Sequence, residues 1–550
     1  MDLKNILGYI KRPKTIDPLE EKLNRITDET TRYIINIKRY KKQIKILYGP
    51  AFSIYIPCFV HDTIFSNILR IHGAEIVPIY CDSIQHVECN VYGGVWGGGK
   101  NFKKNCANCA MKSRHLWSSA AYNLLKFSSF ITRGERIAIY NIVRKISEEK
   151  WMEFSYQGLS FGQWAKDTLL NNYVVGDYHL VNNSNKLGKI HISNLLLLNC
   201  AYSRILQKVK PDRVITNDSY YGMWALMQRL CQERSIPFYS HWSGTRKGAW
   251  CYAYNDASLN LNFSPSWKNF AKIPLKLSQK KKVTKWLDER CKGKDMVLDA
   301  ASIQTYKSKV FNLEIIKKNR PIALLLANVV WDQAALNKET FFKGMMEWIV
   351  ETIHWFSKHS EYQLIIKPHP IELHPAIPKT QESVLSVLQN RRIEISSNVI
   401  ILPSDVQMTA YQLFDYADVG LVYTSTSGIE MSARGIPVIT AGSAPFRGLG
   451  FTVDPGSKKE YEEYLKNFLT KSKKRNNKFI DLAYKYILFN FFHYYTKIDI
   501  MDNSFENAPV LKVGKVEDIL PGKNKYLDYI ANSIMRGLPI LSENRWPPES

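Results

Sequence analysis

The 550-residue chain has no apolar run of the ~18 residues that a bilayer-spanning helix needs; the stretch "ISNLLLLNC" is far too short. Its beginning, "MDLKNILGYIKRPK", lacks a long apolar core followed by a small-residue cleavage site, which argues against a secretory signal. Both absences predict a cytoplasmic protein, soluble or resting peripherally at the inner membrane face. An even set of cysteines is also missing. The nine present, an odd count, argue against a disulfide framework in a reducing compartment. No repeat of fixed period and no low-complexity tract occurs. No module interleaving aromatic and basic residues as RNA binders do appears either, so nucleic acid is not an expected partner.

Positive charge and apolar mass are present. Lys+Arg number 75 against 50 Asp+Glu, a net +25. That excess suits an anionic partner, or a lysine-rich surface kept for solubility. Hydrophobic residues make up 45% and aromatics 12%, enough to bury large cores, so the chain is globular and long enough for two domains. Four of the cysteines cluster: Cys81, Cys89, Cys106 and Cys109. Cys106-x-x-Cys109 is a CxxC knuckle, and four thiolates suit a structural zinc or an iron–sulfur group. The alternative is four unconnected thiols. His86 and His115 are spare ligand candidates.

Patterning divides the chain into five parts. Residues 1–44 read as a basic amphipathic helical arm, lying on an anionic membrane or packed on the body. Residues 45–271 begin as β-α-β ("IKILYGPA", "CFVHDTIFSNILRIHG", "AEIVPIYCD") and end as another such unit around "DRVITND" and "IPFYSHW". A Gly- and Cys-rich insertion, 81–115, interrupts them. Residues 272–320 are a Lys-rich linker candidate. Residues 321–456 alternate strands with helices, which means a parallel sheet covered on both faces. Residues 457–550 read as a helical, aromatic extension. The expected fold is α/β: two Rossmann-like domains facing a cleft, with ligands at the carboxyl ends of the strands.

Two strand ends stand out. "IIKPHPIE" holds His369 between prolines, just beyond Lys367, where the pair can bind phosphate or His369 can act as an acid. "VYTSTSGIEMSARGIPVITAG" places Ser425, Thr426, Ser427 and Gly428 at a strand-to-helix turn. Ser427 to Glu430 spells a capping box. The remaining hydroxyls and the helix start suit an anion, Gly428 allows close approach, and Glu430 offers itself to a ribose hydroxyl.

"KPHP", then "YTSTSGIEMSARGIPVITAG" and "FRGLGFTVDP", with "ANVVWDQ" before them, resemble the bacterial capsule polysaccharide biosynthesis transferases, including the Kdo transferases. The His-Pro and Ser/Thr motifs are also similar to those of sialyl- and polysialyltransferases that use CMP-sugars. The likeness covers about 320–456 well and 46–255 more loosely. It implies the GT-B glycosyltransferase architecture, with donor nucleotide on the C-terminal domain and acceptor on the N-terminal one. By this resemblance Lys367, His369, Ser425, Thr426 and Ser427 hold the donor phosphate. The base comes from Asp218 first and His241 second, Asp218 being otherwise a helix N-cap for 219–234. Arg246 and Lys247 grip an acidic acceptor or donor carboxylate. No DxD-like metal motif stands out, so no cofactor is expected in catalysis.

The expectation is a nucleotide-sugar-dependent glycosyltransferase of capsule or lipopolysaccharide assembly. It uses a CMP-linked acidic sugar by preference and a glycan or lipid-linked acceptor. Its rivals are a CDP-glycerol or CDP-ribitol polyol-phosphate transferase, and a non-catalytic polysaccharide- or nucleic-acid-binding protein.

Overall fold

The computed structural model describes residues 17–37, 43–50, 55–85, 87–118, 123–292, 294, 316, 319–374, 377–406, 408–470, 476–502 and 509–550. The first half contributes six of the seven strands of one sheet. Its strands are β1 (Ile44–Tyr48), β2 (Ala74–Tyr80), β3 (Leu125–Lys126), β4 (Arg213–Asn217), β5 (Phe238–Ser243) and β6 (Ala249–Tyr254). β3, β2, β1, β4 and β5 lie side by side in that order, all parallel. β6 adds antiparallel to β5.

The second half repeats the winding. β7 (Ile322–Leu326), β8 (Gln363–Lys367), β9 (Val399–Ile401), β10 (Val419–Val422) and β11 (Val438–Thr440) form a parallel sheet in the order β11-β10-β7-β8-β9. In each sheet the first and fourth parallel strands are neighbours whose onward connections run in opposite directions. That is a topological switch point, where open α/β sheets bind ligands. The expected α/β fold with two Rossmann-like halves is what the chain adopts.

Strand composition explains the layering. β7 reads Ile-Ala-Leu-Leu-Leu and is buried throughout. Ile322, Leu324 and Leu326 enter the core on one face, Ala323 and Leu325 the core on the other. In β1, Leu47 faces one side and Ile46 and Tyr48 the other. Such two-sided burial demands helices on both faces, and each such leucine contributes about 1.5–3 kcal/mol.

Three segments pack against the body, the arm as one of its two readings has it. Helix Pro18–Asn36 of the arm buries Leu23 and Ile26 in the core that holds helix Ile56–Ile71. The rest of the arm's basic stretch, 1–16 and 38–42, lies outside the described residues. The Lys-rich stretch contains helix Leu277–Cys291, which buries Val283, Trp286 and Leu287; Trp286 packs on Phe491 at 4.3 Å. Its lysines occupy the outer face, so charge masks an amphipathic helix. Residues 295–315 of that stretch also lie outside the described set.

The tail is more than helical. After helix Asn477–Leu488, β12 (Thr496–Lys497) pairs antiparallel with β6, and helix Lys525–Arg536 buries Tyr526, Ile530 and Ile534 in the core of the first half. The chain thus crosses back from the second half to the first. Among the described residues no helix is long and apolar enough to cross a membrane.

Candidate active site between the two sheets

Register aligns the strand ends of the second sheet. Lys367 pairs with Leu326, Leu326 with Val422, and Val422 with Thr440. With about 4.8 Å between strands, Lys367 and Val422 stand about 10 Å apart on one edge. The "KPHP" and "STSG" turns therefore leave the same edge, one strand apart.

Lys367 is 5% exposed, yet its ammonium makes no hydrogen bond or ion pair with any described residue. Burial lowers its amine to about 8. His369 is half-buried beside it. Its Nδ1 accepts a hydrogen bond from Ile371 N at 3.1 Å, which places the ring proton on Nε2. Burial first and the charge of Lys367 second lower the imidazole to about 4. His369 is therefore a neutral donor at physiological pH, better suited to holding an anion than to acting as a general acid. Buried charges are normally paired, so the unpaired amine is the most unusual feature of this edge.

The hydroxyl turn is partly as expected. Ser425, Thr426 and Ser427 are half-buried, and the hydroxyls of Thr426 and Ser427 make no hydrogen bond with a described residue. Ser425 Oγ accepts from Ser427 N at 3.4 Å. The capping box does not form: helix Ser427–Ala433 starts at Ser427, and its N-cap Thr426 makes no side-chain cap. Glu430 instead forms a buried ion pair with Arg290, itself stacked on Trp286 and Phe491. That pairing removes Glu430 from the ribose role. Gly428 serves packing, since a Cβ there would lie 3.0 Å from Val422 and 3.3 Å from Phe446.

In the first sheet, Asp218 follows β4 and is buried. Its Oδ1 accepts from Ser258 Oγ and Leu259 N, both at 2.8 Å, and Oδ2 accepts from Tyr220 N at 3.3 Å. It is not the cap of the next helix, Gly222–Glu233, whose N-cap is Tyr221. Burial, opposed by these donors, raises its carboxyl above the ordinary range.

His241 is a different matter. It lies in the middle of the protein at 0% exposure, with Nε2 3.0 Å from Asp62 Oδ1. Trp250 donates to its Nδ1 at 3.1 Å, which leaves the ring proton on Nε2, the nitrogen beside Asp62. His61 Nδ1 approaches the same carboxylate oxygen at 3.0 Å. The three side chains gather their ligand atoms within 4.8 Å, as a metal site would. The indole N–H, however, takes the Nδ1 lone pair and fixes the proton on Nε2, which makes this a buried hydrogen-bond network. An acceptor sugar cannot reach His241, so it is not the base.

Arg246 is likewise committed. It donates to Phe491 O at 2.6 Å and lies 4.6 Å from the centre of the Phe492 ring, tying the β5–β6 hairpin to the C-terminal segment. Lys247 is exposed on that hairpin. Neither has the geometry of a carboxylate clamp.

Sequence reading passed over the residues that join the halves. The segment after β7 reaches across: Tyr220 Oη donates to Leu336 O at 3.0 Å, and Asn337 Nδ2 donates to Asp167 Oδ2 at 2.7 Å. Lys338 Nζ stands 6.0 Å from the centre of the Tyr220 ring. Asp332 is half-buried there. Burial first, and the charge of Asp218 after the opposing Gln333 N–H, raise its carboxyl. Lys338 feels Asp256, Asp218 and Asp332 together. The available signal was "WDQ" just past a predicted strand, at the end where ligands bind.

The four clustered cysteines all line one cavity beside the end of β1. His115 is exposed and lies 3.6 Å from Glu20, away from them; His86 lies outside the described residues.

Residues 291–492 match the family described as "Capsule polysaccharide biosynthesis protein". No curated protein matches the chain. Among solved structures, the chain is similar to the Thermosulfurimonas dismutans KpsC β-Kdo 2,4-transferase (12% identity, 50% of this chain and 78% of that one, TM-score 0.31). It is similar also to the β-Kdo 2,7-transferase of the same KpsC (13%, 58% and 88%, 0.31). A glycosyltransferase from Rickettsia africae is another (11%, 83% and 95%, 0.27). Likeness at these TM-scores carries nothing about activity.

Proposed function

We propose that this chain, whose residues 291–492 match the capsule polysaccharide biosynthesis family, is a glycosyltransferase of surface polysaccharide assembly. It moves a sugar from a nucleotide-sugar donor to a glycan or lipid-linked acceptor. The observation that carries the reading is the buried ammonium of Lys367, unpaired among the described residues, at a switch-point edge next to the Nε2–H of His369. Such a pair suits a phosphate, and the hydroxyls of Ser425, Thr426 and Ser427 border the same edge.

The acceptor enters from the first half, where Asp218, Asp332 and Lys338 meet. As the anomeric carbon–oxygen bond to the phosphate breaks, Lys367 and His369 take up the charge left on the phosphate. The acceptor oxygen bonds to the anomeric carbon, and its proton passes to Asp332. Asp332 is the better base because it is the more exposed carboxylate and carries fewer hydrogen bonds. A carboxyl raised toward neutrality accepts a proton more effectively. Asp218 fixes the turn and, by its charge, helps keep Asp332 raised.

A CMP-linked acidic sugar is the preferred donor. The net +25 favours anionic substrates, and the resemblance to CMP-sugar transferases points the same way. The test is a screen of CMP-, CDP-, UDP- and GDP-sugars for release of free nucleotide, with and without glycan acceptors. Release from one class, abolished by His369→Ala, supports the reading; no release from any class overturns it.

A further inference from the structure

A second site stands apart from the donor edge and does not depend on that reading. Cys81 is the first residue past β2, Cys89 lies in the loop beyond, and Cys106 and Cys109 sit three residues apart on one face of helix Phe102–Ser118. All four line a single cavity of about 50 Å³, closed by Val91, Tyr92 and Met223. One water needs about 10–15 Å³ on this measure, so the cavity has room for several heavy atoms. All four cysteines are free of disulfides.

Hydrogen bonds are aimed at the sulfurs. Val91 N lies 3.4 Å from Cys89 Sγ, and the Tyr92 N–H is directed at the same atom. The Ser83 N–H is directed at Cys81, while the Ser83 hydroxyl donates to the Cys106 carbonyl oxygen at 3.5 Å. Donors of this kind stabilise sulfur that carries charge.

Spacing chooses between metals. Four thiolates on one zinc, with Zn–S of about 2.3 Å, stand about 3.8 Å apart. No three of these four sulfurs lie within 4.8 Å of one another. In a polynuclear cluster the thiolates are shared among several irons, and the ligating sulfurs are spread around its width. We infer that Cys81, Cys89, Cys106 and Cys109 hold an iron–sulfur cluster in this cavity. Ligation releases four thiol protons. It pins the Gly-rich loop against Pro50 and Met223, beside the end of β1.

The full-length chain, purified without oxygen, is to be reconstituted with sulfide and a mixture of ferrous and ferric iron, the ferric iron supplying the oxidising equivalents of a mixed-valence cluster, and in parallel offered zinc alone. The expected result is a broad visible absorption band with iron and acid-labile sulfide bound in equal amounts. Both are lost in Cys106→Ser and Cys109→Ser and kept in Cys200→Ser and Cys291→Ser. Circular dichroism of each variant separates loss of the cluster from loss of the fold. Uptake of one zinc per chain without sulfide, uptake of neither metal, or equal cluster loading by a correctly folded Cys106→Ser chain would each overturn the inference.

Discussion

Lys367 of β8 stands in register with Leu326 of β7, at the row where both strands end, and no carboxylate among the described residues pairs with its ammonium. A buried cation with no partner costs several kcal/mol in isolation, so its position is best explained by an anionic ligand. The pH dependence of nucleotide binding follows. The free amine loses its proton as pH rises through about 8, whereas bound phosphate holds that proton. Affinity should therefore fall as pH rises above about 8, and Lys367→Arg, charged throughout, should flatten the profile.

His369 acts by donating its Nε2–H, not by carrying charge. His369→Gln, which keeps a donor of similar reach, should retain more nucleotide affinity than His369→Ala. The alanine variant should lose about 1.5–3 kcal/mol, the worth of a hydrogen bond to a charged group. Titration calorimetry of both variants checks the order.

The carboxylates at the cleft should separate by role. Asp332→Asn should lower turnover by about 10²–10⁴-fold, the usual contribution of a general base, while donor binding and melting temperature stay unchanged. Asp218→Ala should lower the melting temperature, because it strips acceptors from Ser258, Leu259 and Tyr220. Steady-state kinetics alongside thermal melts distinguishes the two.

Asp167, buried where the halves meet, has its carboxyl raised to about 6 by burial, against donors from Asn337 and Gln163. The folded chain therefore binds a proton between about pH 4 and 6 that the unfolded chain does not. This contribution to stability is present at low pH and is lost as pH rises through about 6. Asp167→Asn should remove that slope from the pH dependence of the unfolding midpoint.

Glu430→Ala leaves Arg290 buried without its counterion and should cost about 3–5 kcal/mol. Nucleotide affinity, measured below the melting transition, should not change. A ribose role for Glu430 predicts the reverse pattern.

Much of the architecture was legible because parallel strands buried on both faces read as short apolar runs, and β7 to β11 all do. The donor edge was legible for a related reason: Lys367, His369 and the Ser425–Ser427 hydroxyls are local signals at strand ends. What escaped was set by distant contacts. Glu430 looked like a cap until Arg290, 140 residues earlier, took it. His241 looked like a strand-end base until the sheet placed it over Asp62 and under Trp250. Asp332 and Lys338 matter only because the segment after β7 reaches the first half, and no local pattern announces that contact. Helix Leu277–Cys291 was hidden by the lysines on its outer face.

Calorimetric titration of CMP, CDP, UDP and GDP into the wild-type chain and Lys367→Met tests the account most directly. It predicts that at least one nucleotide binds the wild type, and that the variant, folded to the same melting temperature or higher, binds it at least tenfold more weakly, about 1.4 kcal/mol. Equal binding by Lys367→Met, or binding of no nucleotide by the wild type, would contradict it.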